Sequence, residues 1–470
     1  MTPSASHPFS RFFKHAALIE PHELRAVTLS FFYFFFLLGS YFILRPVRDA
    51  MGAAYGAENL EDLYTGTFLG TLIVAPIFAF AASRVRLSVL LPWIYGFIAI
   101  TIVGFYFWFD AAESDRWVAA GFYVWVSVFN MLITSVFWSF MADLFSRTQA
   151  KRLYAFMAAG GSFGALLGPM MTALLVSRVG TQTLLLVSAA GFCVTIILVR
   201  ALVREKERLR VAGEDPQTTT LDHAIPPPPP AWRWVQKLPG KLAPLVTWFF
   251  AIVLSAVRGF TLLFRSPYLL GIALFILFMT WVSTILYVQQ VDFIAKAFPT
   301  RDARTEAFAW VDVIVNTLTI GIQFFGTGRL VARFGVRAGL ILNPLLMIAG
   351  FLAVAFSPVL MVLLGAQIIR RVSEYAVARP SREMLFTVVD QESKYKAKNI
   401  IDTVVYRFGD LSAVWVQNGL GLLGVGVVGI AMYGVGVCAV WAWVATRLGR
   451  RYENATGDHA NLRPAHAAAE

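Results

Sequence analysis

Apolar runs of about 20 residues, each long enough to cross the hydrocarbon core of a bilayer, recur along the whole chain and are separated by short polar turns. The first starts near Ala26, passes through Phe31–Phe36 and Tyr41, and reaches Asp49. Five more are expected over 63–82, 87–109, 117–141, 153–176 and 183–201. After a long polar interruption, six further runs fall near 267–290, 305–328, 337–356, 358–379, 399–420 and 425–446. This pattern predicts an all-α polytopic membrane protein with twelve transmembrane helices in two six-helix halves. Pro46 lies inside the first run; it removes a backbone donor, which predicts a kink or the end of the regular helix there.

The polar interruption over 202–241 carries Arg204, Lys206, Arg208 and Arg210, then the proline run Pro226–Pro230. Such a segment cannot bury a core and reads as an extended linker. Leu242–Phe264 is apolar, but Arg258 and the Arg265-Ser266-Pro267 break favour a helix lying in the membrane plane over a thirteenth span. The expected organisation is therefore a cytoplasmic lead (1–25), a six-helix half (26–201), a linker with an amphipathic helix (202–266), a second six-helix half (267–446) and a cytoplasmic tail (447–470). Loop charges support it. The turns after spans one and three hold Asp49, Glu58, Glu61, Asp62, Asp110, Glu113 and Asp115. Those after the even-numbered spans hold Arg84, Arg86, Arg147, Lys151, Arg152, Arg329, Arg333, Arg337, Arg382 and Lys394–Lys398. Basic loops stay inside, so both termini are expected in the cytoplasm of a cell (inner or plasma) membrane protein. No charged-apolar-cleavage pattern precedes the first span, so no removable signal peptide is expected.

Composition narrows the function. Of 470 residues 58% are hydrophobic and only 14% charged, against roughly 25% charged in ordinary globular proteins. The formal charge of +12 fits basic inner loops and does not call for nucleic acid. The two cysteines, Cys193 and Cys438, both lie in apolar runs, which argues against a disulfide framework. All six histidines fall in tails or linker. The spans thus lack the ligands for membrane haem or an intramembrane metalloprotease, and no cofactor or metal is expected.

Charged and amide side chains inside the spans are the candidates for function. An intramembrane charge is unfavourable by ~2.5–3.5 kcal/mol on insertion scales and normally faces a partner or a watery cavity. Span ten carries Gln367, Arg370, Arg371 and Glu374; span eleven follows Asp390 and Lys398 and carries Asp402, Arg407 and Asp410. Span eight carries Asp312 and Asn316 one turn apart, span four Ser127, Asn130 and Thr134, and span one Tyr41, Arg45 and Arg48. Two readings stand for the charges: the wall of a polar pathway, or intrahelical pairs, Arg370 with Glu374 and Arg407 with Asp410, that ease insertion. Asn130 and Asn316 fit either substrate contact or helix-to-helix hydrogen bonds. The glycine-rich Gly160-Gly161-Ser162-Phe163-Gly164 has no Lys-Ser/Thr partner and reads as close helix packing, not a phosphate loop.

Internal spacing and motifs support a family resemblance. Asp143 precedes Lys151 by the interval that separates Asp390 from Lys398, and basic turns follow spans two and eight. The turn Gly328–Gly335 resembles the loop signature of the major facilitator superfamily, whose plan is two six-span halves joined by a linker. The run Pro380, Arg382, Glu383, Met384, then Asp390, Glu392, Ser393, Lys394, Lys396, Lys398, then Ile401, Asp402, Arg407 and Gly409 resembles the bacterial and plastid ATP/ADP translocase family. Tyr41, Ile43, Leu44, Arg45, Arg48 and Asp49 are similar to that family's first-span motif, and Phe137-Trp138 and Ala150-Lys151-Arg152 with Tyr154 also match. Pro46 and Arg48 depart from it, and Gln289, Gln290 and Asp292 stand where an acidic motif is expected. The resemblance implies a major facilitator-type fold, a substrate site between the halves, and transport roles for Arg48 and Lys394–Lys398.

The function expected from these features is secondary active transport, as antiporter or proton-coupled carrier, of an anionic phosphorylated or carboxylated metabolite, nucleotides included. Arg45, Arg48, Asn130, Asn316, Gln367, Arg370, Arg371, Lys398 and Arg407 are the expected substrate contacts, because arginine suits bidentate recognition of phosphate and carboxylate. Asp49, Asp143, Arg152, Asp312, Glu374, Asp390, Asp402 and Asp410 are the expected coupling or gating groups. The alternatives are a lipid or amphiphile carrier of the same fold, a channel and, with no nucleophile–base pair in view, a membrane-embedded enzyme.

Overall fold

The computed structural model describes residue 20, residues 22–111, 116–211, 260–389, 397–398 and 400–467. Most of the expected linker, most of the in-plane helix and Asp390 lie outside them; residues 202–211, expected as the start of an extended linker, instead continue the preceding helix, where Lys206 finds a partner in Asp143. The main helices are α1 (Leu24–Tyr55), α2 (Leu60–Arg84), α3 (Leu87–Ala111), α4 (Arg116–Leu144) and α5 (Arg147–Val211). They continue with α6 (Pro267–Ala297), α7 (Arg301–Ile322), α8 (Gly328–Phe356), α9 (Leu360–Ser373), α10 (Arg379–Met384), α11 (Tyr406–Leu422) and α12 (Val427–Ala467). Among the described residues, nine helical stretches are long and apolar enough to cross a membrane.

Local sequence sets the boundaries. Ser266 caps α6 by accepting from the Leu269 N–H at 3.3 Å, and Pro267 occupies the first turn, where its missing N–H is harmless. Gly180 (φ 77°) bends α5 into two arms, which separates the expected spans five and six. The helix does not end at Pro46: α1 continues to Tyr55 and ends at Gly56, whose φ of 119° disfavours a side chain. One lost backbone bond in a 32-residue helix is tolerated because neighbouring helices bury this part of it. Three π turns, Gln323–Thr327, Glu374–Ala378 and Ile401–Val405, interrupt the later helices. Such turns collect at functional sites.

The chain divides into two compact units. Unit one comprises 1–51, 70–224 and 300–313; unit two comprises 52–69, 225–299 and 314–470. Aromatic packing dominates the core of unit one. Phe34 stacks on Phe137 with centroids 3.9 Å apart, and Tyr33 and Tyr95 share a buried hydroxyl contact of 2.6 Å. There α1 meets the first arm of α5 backbone to backbone. A Cβ at Gly160 would stand 2.3 Å from the Phe31 carbonyl oxygen, one at Gly164 2.3 Å from that of Phe35, and one at Gly168 2.6 Å from that of Gly39. The glycine-rich stretch is thus a packing stripe, as its spacing predicts.

In unit two, α6 packs on α11 and α12, and α8 packs on α12. Phe275, Leu286, Phe351 and Trp441 belong to its core. Large apolar side chains such as Trp93 and Phe97 on α3 and Phe356 on α8 stay exposed. A lipid environment makes such exposure favourable.

Candidate functional site

Among the described residues, a polar cluster interrupts the apolar interior in each unit. In unit one α1 supplies Arg45, Arg48 and Asp49. Arg48 donates twice to Asp49 Oδ1, from Nε at 2.9 Å and Nη2 at 2.6 Å, and its guanidinium lies 5.3 Å from the ring centre of Tyr123 on α4. Arg45 pairs with the buried Asp312 of α7 at 3.7 Å. Two guanidinium groups therefore meet two carboxylates here. Asn130 is half-buried on α4.

The cluster in unit two is larger. Gln367 Nε2 on α9 donates to Gln290 Oε1 on α6 at 2.8 Å, and Arg370 Nε donates to Gln367 Oε1 at 2.8 Å. Arg370 Nη1 then donates to Glu374 Oε2 at 2.7 Å. The other oxygen of Glu374 accepts from Arg379 Nε at 3.2 Å and Nη2 at 3.1 Å. The guanidinium groups of Arg371 and Arg379 lie 5.9 and 4.5 Å from the ring centre of Tyr375. On α11, Asp410 accepts from the Thr284 hydroxyl at 3.0 Å and lies 3.7 Å from Arg407. Glu374 thus meets Arg370 and Arg379, Asp410 meets Arg407, and Arg371 lies beside them against Tyr375. Arg371 and Glu374 are buried, and so is Asn316 of α7.

The remaining expected residues join peripheral networks. Arg382 donates to Glu383 at 2.7 Å and approaches Asp402 at 3.4 Å, while Lys398 pairs with Glu383. Burial pushes the Glu383 carboxyl up, but hydrogen bonds from Lys398 and Arg382 outweigh it and hold the group below its ordinary range. In unit one, Arg152 donates to Glu23 at 2.8 Å, and Lys206 bonds the Asp143 carboxylate at 3.1 Å. Sequence reasoning singled out neither Thr284, Gln290, Tyr375 nor Arg379 as a site residue. The first three are uncharged and raise no alarm in an apolar run; Arg379 stands at the end of its span and reads as a loop charge.

The sequence aligns with named carriers along the whole chain. It is 23% identical over 535 residues to the protein named ADP,ATP carrier protein 1 from Chlamydia muridarum (strain MoPn / Nigg), covering 100% of this chain and 97% of the relative. With the protein of the same name from Chlamydia pneumoniae it shares 21% identity over 507 residues, 96% of each. Among solved structures, a bacterial homologue of the iron transporter ferroportin in an inward-facing state aligns with a TM-score of 0.61 at 11% identity, over 91% of this chain and 98% of that one. A POT family transporter in complex with 5-aminolevulinic acid aligns with a TM-score of 0.55 at 14% identity, over 91% and 96%. The carriers among these relatives, the apolar helices and the buried charge clusters describe a membrane transporter, not an enzyme. With its family profile matching residues 26–369, the chain belongs to the Major Facilitator Superfamily.

Proposed function

We propose that this transporter is a secondary active carrier that exchanges an anionic phosphorylated metabolite, in the first place ATP against ADP, through twelve spans in two six-helix halves with cytoplasmic termini. The gathering of Arg370, Arg371 and Arg407 in one polar cluster of unit two carries the reading. Arginine suits bidentate recognition of phosphate, and an entering anion can compete with Glu374 and Asp410 for these guanidinium groups. The names of the relatives, ADP,ATP carrier protein, favour a nucleotide as that anion.

In this reading Arg370 and Arg371 hold the phosphates by charge-assisted hydrogen bonds. Arg407 adds a third cation, and Gln367 orients Arg370 from behind. Arg45 and Arg48, with Asp312 and Asp49, form exchangeable pairs in unit one. The Arg152–Glu23, Lys206–Asp143 and Lys398–Glu383 pairs act as gating contacts that form or break with the conformational cycle.

Proteoliposomes loaded with ADP test the proposal by uptake of labelled ATP, which should depend on the internal nucleotide. A binding isotherm should show Arg371→Gln weakened by ~1.5–3 kcal/mol, the scale of a hydrogen bond to a charged group. That is roughly a 10- to 150-fold loss. Lysine at the same position should rescue only in part, because it lacks the bidentate fork. Unchanged affinity in both variants would remove the anion site, and uptake independent of internal nucleotide would remove exchange.

A further inference from the structure

The last helix carries an arginine face that the transport reading does not use. On α12, Arg447, Arg450 and Arg451 are exposed, while Leu448 and Gly449 between them and Tyr452 after them are buried. The buried side packs on two other helices of unit two. A Cβ at Gly449 would meet the Arg337 side chain of α8 at 2.6 Å, and one at Gly271 of α6 would meet Leu448 at 3.3 Å. Arg451 Nη1 donates to the Pro267 carbonyl at the start of α6, at 3.1 Å. That contact brings Arg451 within two residues of the exposed Arg265. The nearby carboxylate, Glu453, is turned toward α8, since its Oε1 lies 3.5 Å from where a Cβ of Gly335 would stand.

The same face continues along the helix as apolar surface. Val440 and Trp443 precede Arg447 at helical spacing and are 47% and 56% exposed. The Arg447 guanidinium sits 4.6 Å from the Trp443 ring centre, so it is held at the boundary between the apolar stripe and the basic cluster. Phe264, beside Arg265, is also exposed. An amphiphile with a negative head and an apolar tail is complementary to this order of groups. A soluble anion leaves Val440 and Trp443 uncovered.

We propose that this corner of unit two binds an anionic phospholipid, its phosphate held by Arg447, Arg451 and Arg265 and its acyl chain lying on Val440 and Trp443. Juxtamembrane basic groups attract anionic headgroups in general. Here the fixed positions of Arg451 on a carbonyl and Arg447 on an indole add a defined seat.

Native mass spectrometry of the purified full chain, offered phosphatidylglycerol or phosphatidylcholine, tests the assignment. Wild type should retain phosphatidylglycerol, and the double variant Arg447→Gln/Arg451→Gln should retain about fivefold less or lower still. Lysine at both positions keeps the charge and should restore much of the binding, which separates loss of the seat from misfolding. Arg84→Gln removes one exposed charge in unit one and should leave retention unchanged. Equal retention of phosphatidylcholine, an equal loss in Arg84→Gln, or no loss in the double glutamine variant overturns the proposal. Displacement of the lipid by millimolar inorganic phosphate would mark a soluble-anion site and overturns it as well.

Discussion

Replacing Glu374 by glutamine should lower stability and raise anion affinity in the same protein. The carboxylate is 4% exposed and accepts three guanidinium N–H groups, one from Arg370 at 2.7 Å and two from Arg379 at 3.1 and 3.2 Å. Removing one partner of a buried ion pair is destabilising by ~3–5 kcal/mol, because the other charge stays behind. Two features place this case near the low end. Arg370 keeps the Gln367 oxygen at 2.8 Å, and the Arg379 side chain is 45% exposed, so water screens its share. A loss of about 3 kcal/mol is therefore expected. The substitution meanwhile removes one negative charge from beside Arg370 and Arg379. For an added unit charge about 7 Å from a phosphate at an effective dielectric of about 20, Coulomb attraction is roughly 2 kcal/mol before salt screening. Binding of ATP should then tighten by about five- to thirtyfold. Reversible unfolding in mixed micelles reads the first effect, and a nucleotide titration of the folded protein reads the second. An unchanged unfolding midpoint would show that the ion pair is not holding the helix. Weaker ATP binding would show that the gain in positive charge does not attract the substrate.

Three further outcomes follow from the geometry. Gly164→Ala places a Cβ 2.3 Å from the Phe35 carbonyl oxygen; overpacking of this kind costs about 1–3 kcal/mol, so the unfolding midpoint should fall, whereas Gly104→Ala, with open space around it, should not move it. The carboxyl of Glu383 is depressed in the folded state, so its contribution to stability is present above the unfolded value of about 4.3 and is lost as pH falls through the lower folded value. Wild type should lose stability on acidification through that window, and Glu383→Gln should flatten the profile. If uptake is proton-driven, neutralising Asp410, whose short contact is the Thr284 hydroxyl at 3.0 Å, should abolish pH-driven accumulation and spare exchange. Full pH-driven uptake in the Asp312, Glu374, Asp402 and Asp410 neutral variants alike would exclude all four as coupling groups.

The parts of this site that follow helical spacing could be read directly from the chain. Arg370 with Glu374, and Arg407 with Asp410, sit three or four residues apart, and helical geometry alone brings them together. Close packing at Gly160–Gly164 was legible for the same reason, while Gly168, one turn further on, is added by the structure. Contacts that join distant segments could not be read. Arg45 and Asp312 are far apart in sequence, as are Thr284 and Asp410, and no local period encodes either pair. Asp402 could be placed near a deep arginine by depth alone; it instead approaches Arg382 near the end of its helix. The continuation of α1 through Pro46 also escapes local rules, because the packing around the helix decides it. The π turn at Glu374–Ala378 matters for the same reason: it shifts the register by one residue and lets Arg379 reach back to Glu374 across five positions.

The glycine stripe restricts how two helices can move. With carbonyl oxygens of Phe31, Phe35 and Gly39 seated over Gly160, Gly164 and Gly168, small axial slips of α1 drive those oxygens into the side chains between the glycines. The next permitted seat lies four residues along, a displacement of about 6 Å. Sliding between α1 and the first arm of α5 is thus all or nothing, like a toothed rail. Any smaller axial shift of α1 during a transport cycle must carry the first arm of α5 with it, as one rigid bar.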